Sequence, residues 1–138
     1  TSKPSIDEKM NISIKNYGVI SENKMFIYPN VFNIASNLSP VKNRQKEVYI
    51  NRGYTDIDTI IIALPANKLT HTPVDKHNFS CPMASYELTN EIKDGKLICT
   101  RTFILKQGTY PRESYSKLVE FYNNVNNMDR NRLLLPLK

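Results

Sequence analysis

The four residues Lys93-Asp94-Gly95-Lys96 constrain this chain more than any other segment. They join two runs that alternate apolar and polar residues, Tyr86 to Ile92 and Leu97 to Leu105. Asp-Gly between such runs predicts a two-residue hairpin turn, because both central positions need positive φ. With Asp94 and Gly95 as the loop, Lys93 faces Lys96 and Ile92 faces Leu97. That register gathers Tyr86, Leu88, Ile92, Leu97, Cys99, Phe103 and Leu105 on one face. Ser85, Glu87, Thr89, Glu91, Thr100 and Thr102 fall on the other. One face is core and one is wet, as in an antiparallel sheet with solvent on one side. Arg101 lands on the apolar face, opposite Leu88. A buried guanidinium needs a partner. It reads either as a packed stem whose head reaches the sheet edge or as a structural ion pair fixing the hairpin to the rest of the fold. The same register puts Cys99 opposite Asn90 and far along the ladder from Cys81, so no disulfide is expected between them.

The remaining segments arrange themselves around this hairpin. Residues 1–9 read as a flexible polar lead-in, and Met10 to Lys15 alternates like a strand. Lys24 to Tyr28 is a short strand stopped by Pro29, and Asn33 to Gln45 reads as a loop. Val48 and Ile50 precede Ile57 to Leu64, a run apolar on both faces that predicts a central buried strand closed by Pro65. Between Pro65 and Met83, Pro65, Pro73 and Pro82 predict short extended pieces joined by turns. The period then changes. Pro111 suits the first turn of a helix and Glu113 its positive end. Tyr115, Leu118, Val119, Tyr122 and Val125 form one apolar stripe. Asn123, Asn124, Asn126 and Asn127 are weak helix formers, so the helix should fray there. Arg132 to Leu135 reads as a last strand. The expected fold is mainly β: an antiparallel β-sandwich-like single domain over residues 1–138, with one C-terminal helix at about 111–127 and a short final strand.

Chemistry is harder to find. Nineteen Lys and Arg against thirteen Asp and Glu give +6. That permits polyanion binding without demanding it. The densest cluster holds Lys42, Arg44 and Lys46. It reads as a solvated loop or as a contact patch for an anionic partner, whose affinity would fall steeply with salt. His71, His77 and Cys81 lack metal-ligand spacing, and neither cysteine opens a helix that would lower a thiol pKa. Asp56 and Asp58 lie too near a strand start, without cleft or metal partner, to read as a catalytic pair. No glycine-rich phosphate loop or hydrolase motif occurs. Val48 to Tyr54 lacks the alternating aromatics of an RNA-binding strand, so no nucleic-acid partner is expected. No apolar run nears the ~20 residues that cross a bilayer. The expectations are therefore no enzyme, no cofactor and no metal. Lys42, Arg44, Lys46 and Tyr54 stand as candidate binding residues, and Arg101, Asp94, Gly95 and Pro111 as structural ones.

The order of segments resembles a known family. It runs MFIYPNVF, a loop with Arg44, EVYINRGYTDIDTIIIALPANKLTHTP, the hairpin ELTNEIKDGKLICTRTFIL, the helix YPRESYSKLVEFYNNVNNMD and the closing RLLL. Over residues 24–138 this is similar to the C-terminal all-β domain of unknown function in exported Bacteroidetes-type proteins with a transglutaminase-like, papain-like core. The resemblance implies a fragment from the C-terminal end of a larger protein of the periplasm or cell surface, carrying none of the catalytic triad. It implies a non-catalytic accessory domain whose partners are other domains of the same polypeptide. The alternative is an extracellular binding module for a glycan or protein, using end loops and exposed tyrosines such as Tyr28 or Tyr54.

Overall fold

A computed structural model describes residues 6, 9, 11–65 and 75–137. The hairpin forms as its turn chemistry requires. Strands β6 (Ala84–Lys93) and β7 (Lys96–Leu105) pair with Lys93 opposite Lys96 and Leu88 opposite Arg101. Asp94 and Gly95 take φ of 50° and 70°, the left-handed conformation of a tight hairpin loop. Strands β4 (Tyr54–Ala63) and β5 (Asp75–Cys81) flank the hairpin, giving an antiparallel four-stranded sheet of order β4-β7-β6-β5. Two smaller antiparallel sheets complete the β structure. One joins β1 (Gly18–Ser21), β2 (Lys24–Ile27) and β9 (Leu133–Pro136) in the order β1-β2-β9. The other pairs β3 (Val48–Ile50) with β8 (Gly108–Tyr110).

The inner face of the large sheet is covered in two halves. At the hairpin-loop end, Met25, Ile27 and Leu135 of the three-stranded sheet pack on Leu97 and Cys99. At the other end, helix α1 (Tyr115–Asp129) inserts Phe121 and Val125 against Ala84, Tyr86 and Phe103. Leu118 of α1 meets Val48 and Met83 in a third cluster. The layers are thus sheet on sheet at one end and helix on sheet at the other. Each amphipathic element buries the one face its period supplies.

Three expectations change, and two others lie outside the described residues. Residues 11–14 form no strand, and Met10 lies outside the described residues. The lead-in over 1–9 and the turns around Pro73 also lie outside them, apart from Ile6 and Lys9. The strand expected to be central is an edge: β4 pairs with β7 alone among the described strands. Its inward side chains Ile60 and Ile62 reach the core, while Ile57 and Ile61 point outward and are 67% and 61% exposed. An apolar run on both faces therefore marks a surface here rather than burial. The helix also does not fray at its asparagines. A 3-10 turn at Arg112–Ser114 leads into α1, which runs on to Asp129. Asn126 is buried and its Nδ2 donates to the Ala35 carbonyl, so tertiary bonding overrides weak intrinsic propensity.

Gly95 has open space where a Cβ would stand. Gly95→Ala should therefore cost only the left-handed strain, about 1–2 kcal/mol. Urea unfolding measures it, and a neutral result would show that the turn tolerates a side chain.

Candidate functional site

The Arg101 side chain, 3% exposed, crosses the inner face of the large sheet and meets Asp129, 2% exposed, at the end of α1. The pair is bidentate, with Nε donating to Oδ1 at 2.8 Å and Nη2 to Oδ2 at 3.0 Å. Nη1 reaches Asp58 Oδ2 on β4 at 3.2 Å. Tyr86 OH donates to Asp129 Oδ1 at 2.8 Å, and the Ala35 amide donates to Oδ2 at 2.9 Å. Asn33 Nδ2 donates to Asp58 Oδ2 at 2.8 Å. The guanidinium also lies 5.4 Å and 5.7 Å from the ring centroids of Tyr86 and Phe103. A carboxylate at a helix C-terminus meets the negative end of the dipole. Asp129 is held there by four donors, two of them cationic. Burial and the neighbouring Asp129 carboxylate both push the Tyr86 hydroxyl well above the ordinary tyrosine range. Each Asp129 oxygen accepts two hydrogen bonds, so the network ties the helix end to the large sheet.

The other reactive groups are similarly occupied. Burial pushes the Cys99 thiol up to about 12, so it stays protonated at neutral pH, and both described cysteines are free. Asp56 is exposed, while Asp58 is joined to Arg101 and Asn33, so the two carboxylates share no reacting centre. Among the described residues no three or more His, Cys, Asp or Glu gather to hold a metal; His71 lies outside them.

A groove opens near the network. Asp75 and His77 of β5, Asn90 and Ile92 of β6, Leu97, and residues 131–135 enclose a groove of about 410 Å³. His77 Nε2 and Asp75 Oδ1 are 2.8 Å apart. Asn90 is 6% exposed, and its Oδ1 has no hydrogen-bond partner. Asn90 also lines a deeper cavity of about 20 Å³ shared with Arg101 and Asp129, room for about one water molecule.

The residues singled out in the sequence do not converge on one site. In the basic loop, Arg44 donates from Nε to the Lys46 carbonyl at 2.9 Å and from Nη2 to the Glu47 carbonyl at 3.1 Å. Its guanidinium stacks 4.4 Å from the Tyr115 ring centroid. Arg44 is thus a loop clamp on the helix start, while the other two basic residues, Lys42 and Lys46, are exposed. Tyr54 opens β4 and stacks on Phe103 at 5.7 Å, away from that loop's own contacts. Asp94 and Gly95 form the hairpin turn, and Pro111 precedes the 3-10 turn, its carbonyl accepting from the Ser114 amide at 2.9 Å.

Asp129, Asn126 and Asn90 were missed. Their signal is one of position. Leu118, Tyr122, Val125 and Asp129 continue a single helix stripe, and Asn90 sits between Leu88 and Ile92 on the apolar face of β6. A polar residue that keeps the apolar period marks a buried hydrogen bond.

A family model described as a domain of unknown function with a solved structure (DUF3858) matches residues 23–135. The chain belongs to this family. No curated protein and no solved structure matches it. Among the described residues, no helix is long and apolar enough to cross a membrane.

Two outcomes follow from the network and the thiol. Arg101→Met strands Asp129 in the core and should cost about 3–5 kcal/mol, with Arg101→Met/Asp129→Leu recovering part of it; equal losses in chemical unfolding would refute the pairing. The raised Cys99 pKa means that the unfolded chain ionises this thiol first. Stability should hold below pH 9 and fall as pH rises from there toward about 12. A Cys99→Ala variant should flatten that decline, and an unchanged profile would contradict it.

Proposed function

We propose that this domain is a non-catalytic accessory module that packs on or positions a transglutaminase-like domain within one exported polypeptide, at the periplasm or cell surface. The observation that carries it is an apolar row on the outer face of the three-stranded sheet. Val19 and Leu134 both pair with Phe26, so the three side chains stand side by side across β1, β2 and β9. Val19 and Leu134 are exposed, and the Arg132 guanidinium lies 4.4 Å from the Phe26 ring centroid. Ile12 and Ile14, which precede β1, are exposed as well. An exposed apolar row rimmed by a cation supports a docking face. In a longer polypeptide, a domain upstream of residue 11 would join the chain beside it. The resemblance supplies the identity of that domain.

A second reading, a binding module for a glycan or protein partner, rests on the groove. The Asp75 carboxylate would accept from a ligand's hydroxyl or amide groups beside His77 and the buried Asn90, over a floor of Ile92, Leu97 and Leu135.

Calorimetric titration of this domain into the upstream part of its own polypeptide separates the two. Saturable binding, weakened at least tenfold by Val19→Glu/Leu134→Glu without loss of thermal stability, is the expected outcome. Absence of heat with both pieces folded overturns it. Binding of a cell-wall glycan that Asp75→Leu removes would then establish the groove.

A further inference from the structure

Asn90 and Arg101 share the inner face of the central hairpin. Leu88 pairs with Arg101 and Asn90 with Cys99, so the amide and the guanidinium are diagonal neighbours on one ladder, about 7–8 Å apart at their backbones. Both side chains are buried. Asn90 Oδ1 has no hydrogen-bond partner, so no direct bond joins it to Arg101. Arg101 carries five N–H groups. Its three nitrogens bond once each, Nε and Nη2 to Asp129 and Nη1 to Asp58. One N–H on each terminal nitrogen is therefore left without an acceptor among the described residues. The unused acceptor and the unused donors line the same cavity of about 20 Å³. A buried polar group of either kind is costly unless it is paired.

We propose that this cavity is a binding site for one structural water molecule, which accepts from a terminal N–H of Arg101 and donates to Asn90 Oδ1. Size limits the occupant. The cavity exceeds the roughly 10–15 Å³ that one water requires and is too small for an organic group. Charge limits it as well. A cation would face the Arg101 guanidinium, and an anion would face the Asp129 carboxylate, which lines the same wall. Water is neutral and carries both a donor and an acceptor, so it complements both unused groups at once. A water bridging two buried polar groups is nearly as favourable as a direct hydrogen bond. The same argument fixes the Asn90 amide. Oδ1 turned toward the guanidinium sets an acceptor near a cation, whereas Nδ2 turned there would set donor against donor. The bridge ties β6 to the Arg101–Asp129 pair through side chains as well as through the backbone ladder. It also accounts for an asparagine on the apolar face between Leu88 and Ile92, since an apolar residue there would leave Arg101 a donor short of acceptors. The site requires neither the Val19–Phe26–Leu134 row nor a ligand in the groove, and it stands independently of both readings above.

Magnetic relaxation dispersion of the solvent oxygen nucleus counts waters held longer than those of the surface shell. Asn90→Leu removes the acceptor and fills part of the cavity. It should lower the dispersion amplitude of the wild-type chain by the equivalent of one water, with the folded circular dichroism spectrum retained. A crystal structure of the wild-type chain gives a second readout that needs no variant. It should show a density peak at about 2.7–3.2 Å from both Asn90 Oδ1 and an Arg101 Nη. Equal dispersion amplitudes for wild type and a folded Asn90→Leu would overturn the site. So would a crystal structure in which Asn90 bonds Arg101 directly, or in which no density lies between them.

Discussion

The buried pair of Arg101 and Asp129 ties the end of the helix to the middle of the large sheet. The guanidinium comes from the middle of β7, and the carboxylate from the last residue of α1. Between them they hold the helix end, the central hairpin, Asp58 of β4 and the backbone at Ala35. A buried ion pair adds little net stability over a well-packed apolar substitute. Its value is geometric. The four donors on Asp129 have one arrangement, so they fix the angle at which the helix meets the sheet and the path of the loop from Asn30 to Gln45. The apolar clusters on either side could slide by a residue; the bidentate pair could not.

That arrangement also engages the titratable groups inside the domain with one another. Tyr86, Arg101, Asp58 and Asp129 would attract notice as a set of titratable groups in a cleft. Each is engaged by the others, and burial keeps the Tyr86 hydroxyl and the Cys99 thiol protonated. The features open to a partner are the apolar row on the three-stranded sheet and the groove beside Asn90.

The parts of the fold legible in the sequence were those fixed by local rules. The Asp94-Gly95 turn set the register of β6 and β7, and that register placed Arg101 on the buried face. The stripe from Tyr115 to Val125 gave the helix. What the sequence concealed was set by long-range pairing. Ile57 to Leu64 reads as a buried strand, because a run apolar on both faces looks the same whether the second face meets another layer or solvent. The asparagines at 123–127 read as a fraying end, because the Ala35 carbonyl that receives Asn126 lies 91 residues away. Asp129 was visible only as a charged residue keeping an apolar period. The candidate binding residues were chosen by charge and exposure, and the basic loop proved to be tied down by Arg44 rather than open around it.

The central claim is that this domain acts through its outer surfaces, above all the row of Val19, Phe26 and Leu134. Hydrogen–deuterium exchange, compared between the isolated domain and the intact polypeptide, tests it most directly. The account predicts slower exchange in the intact chain at residues 11–28 and 133–137, with the hairpin of β6 and β7 unchanged. Identical exchange across those segments would contradict it.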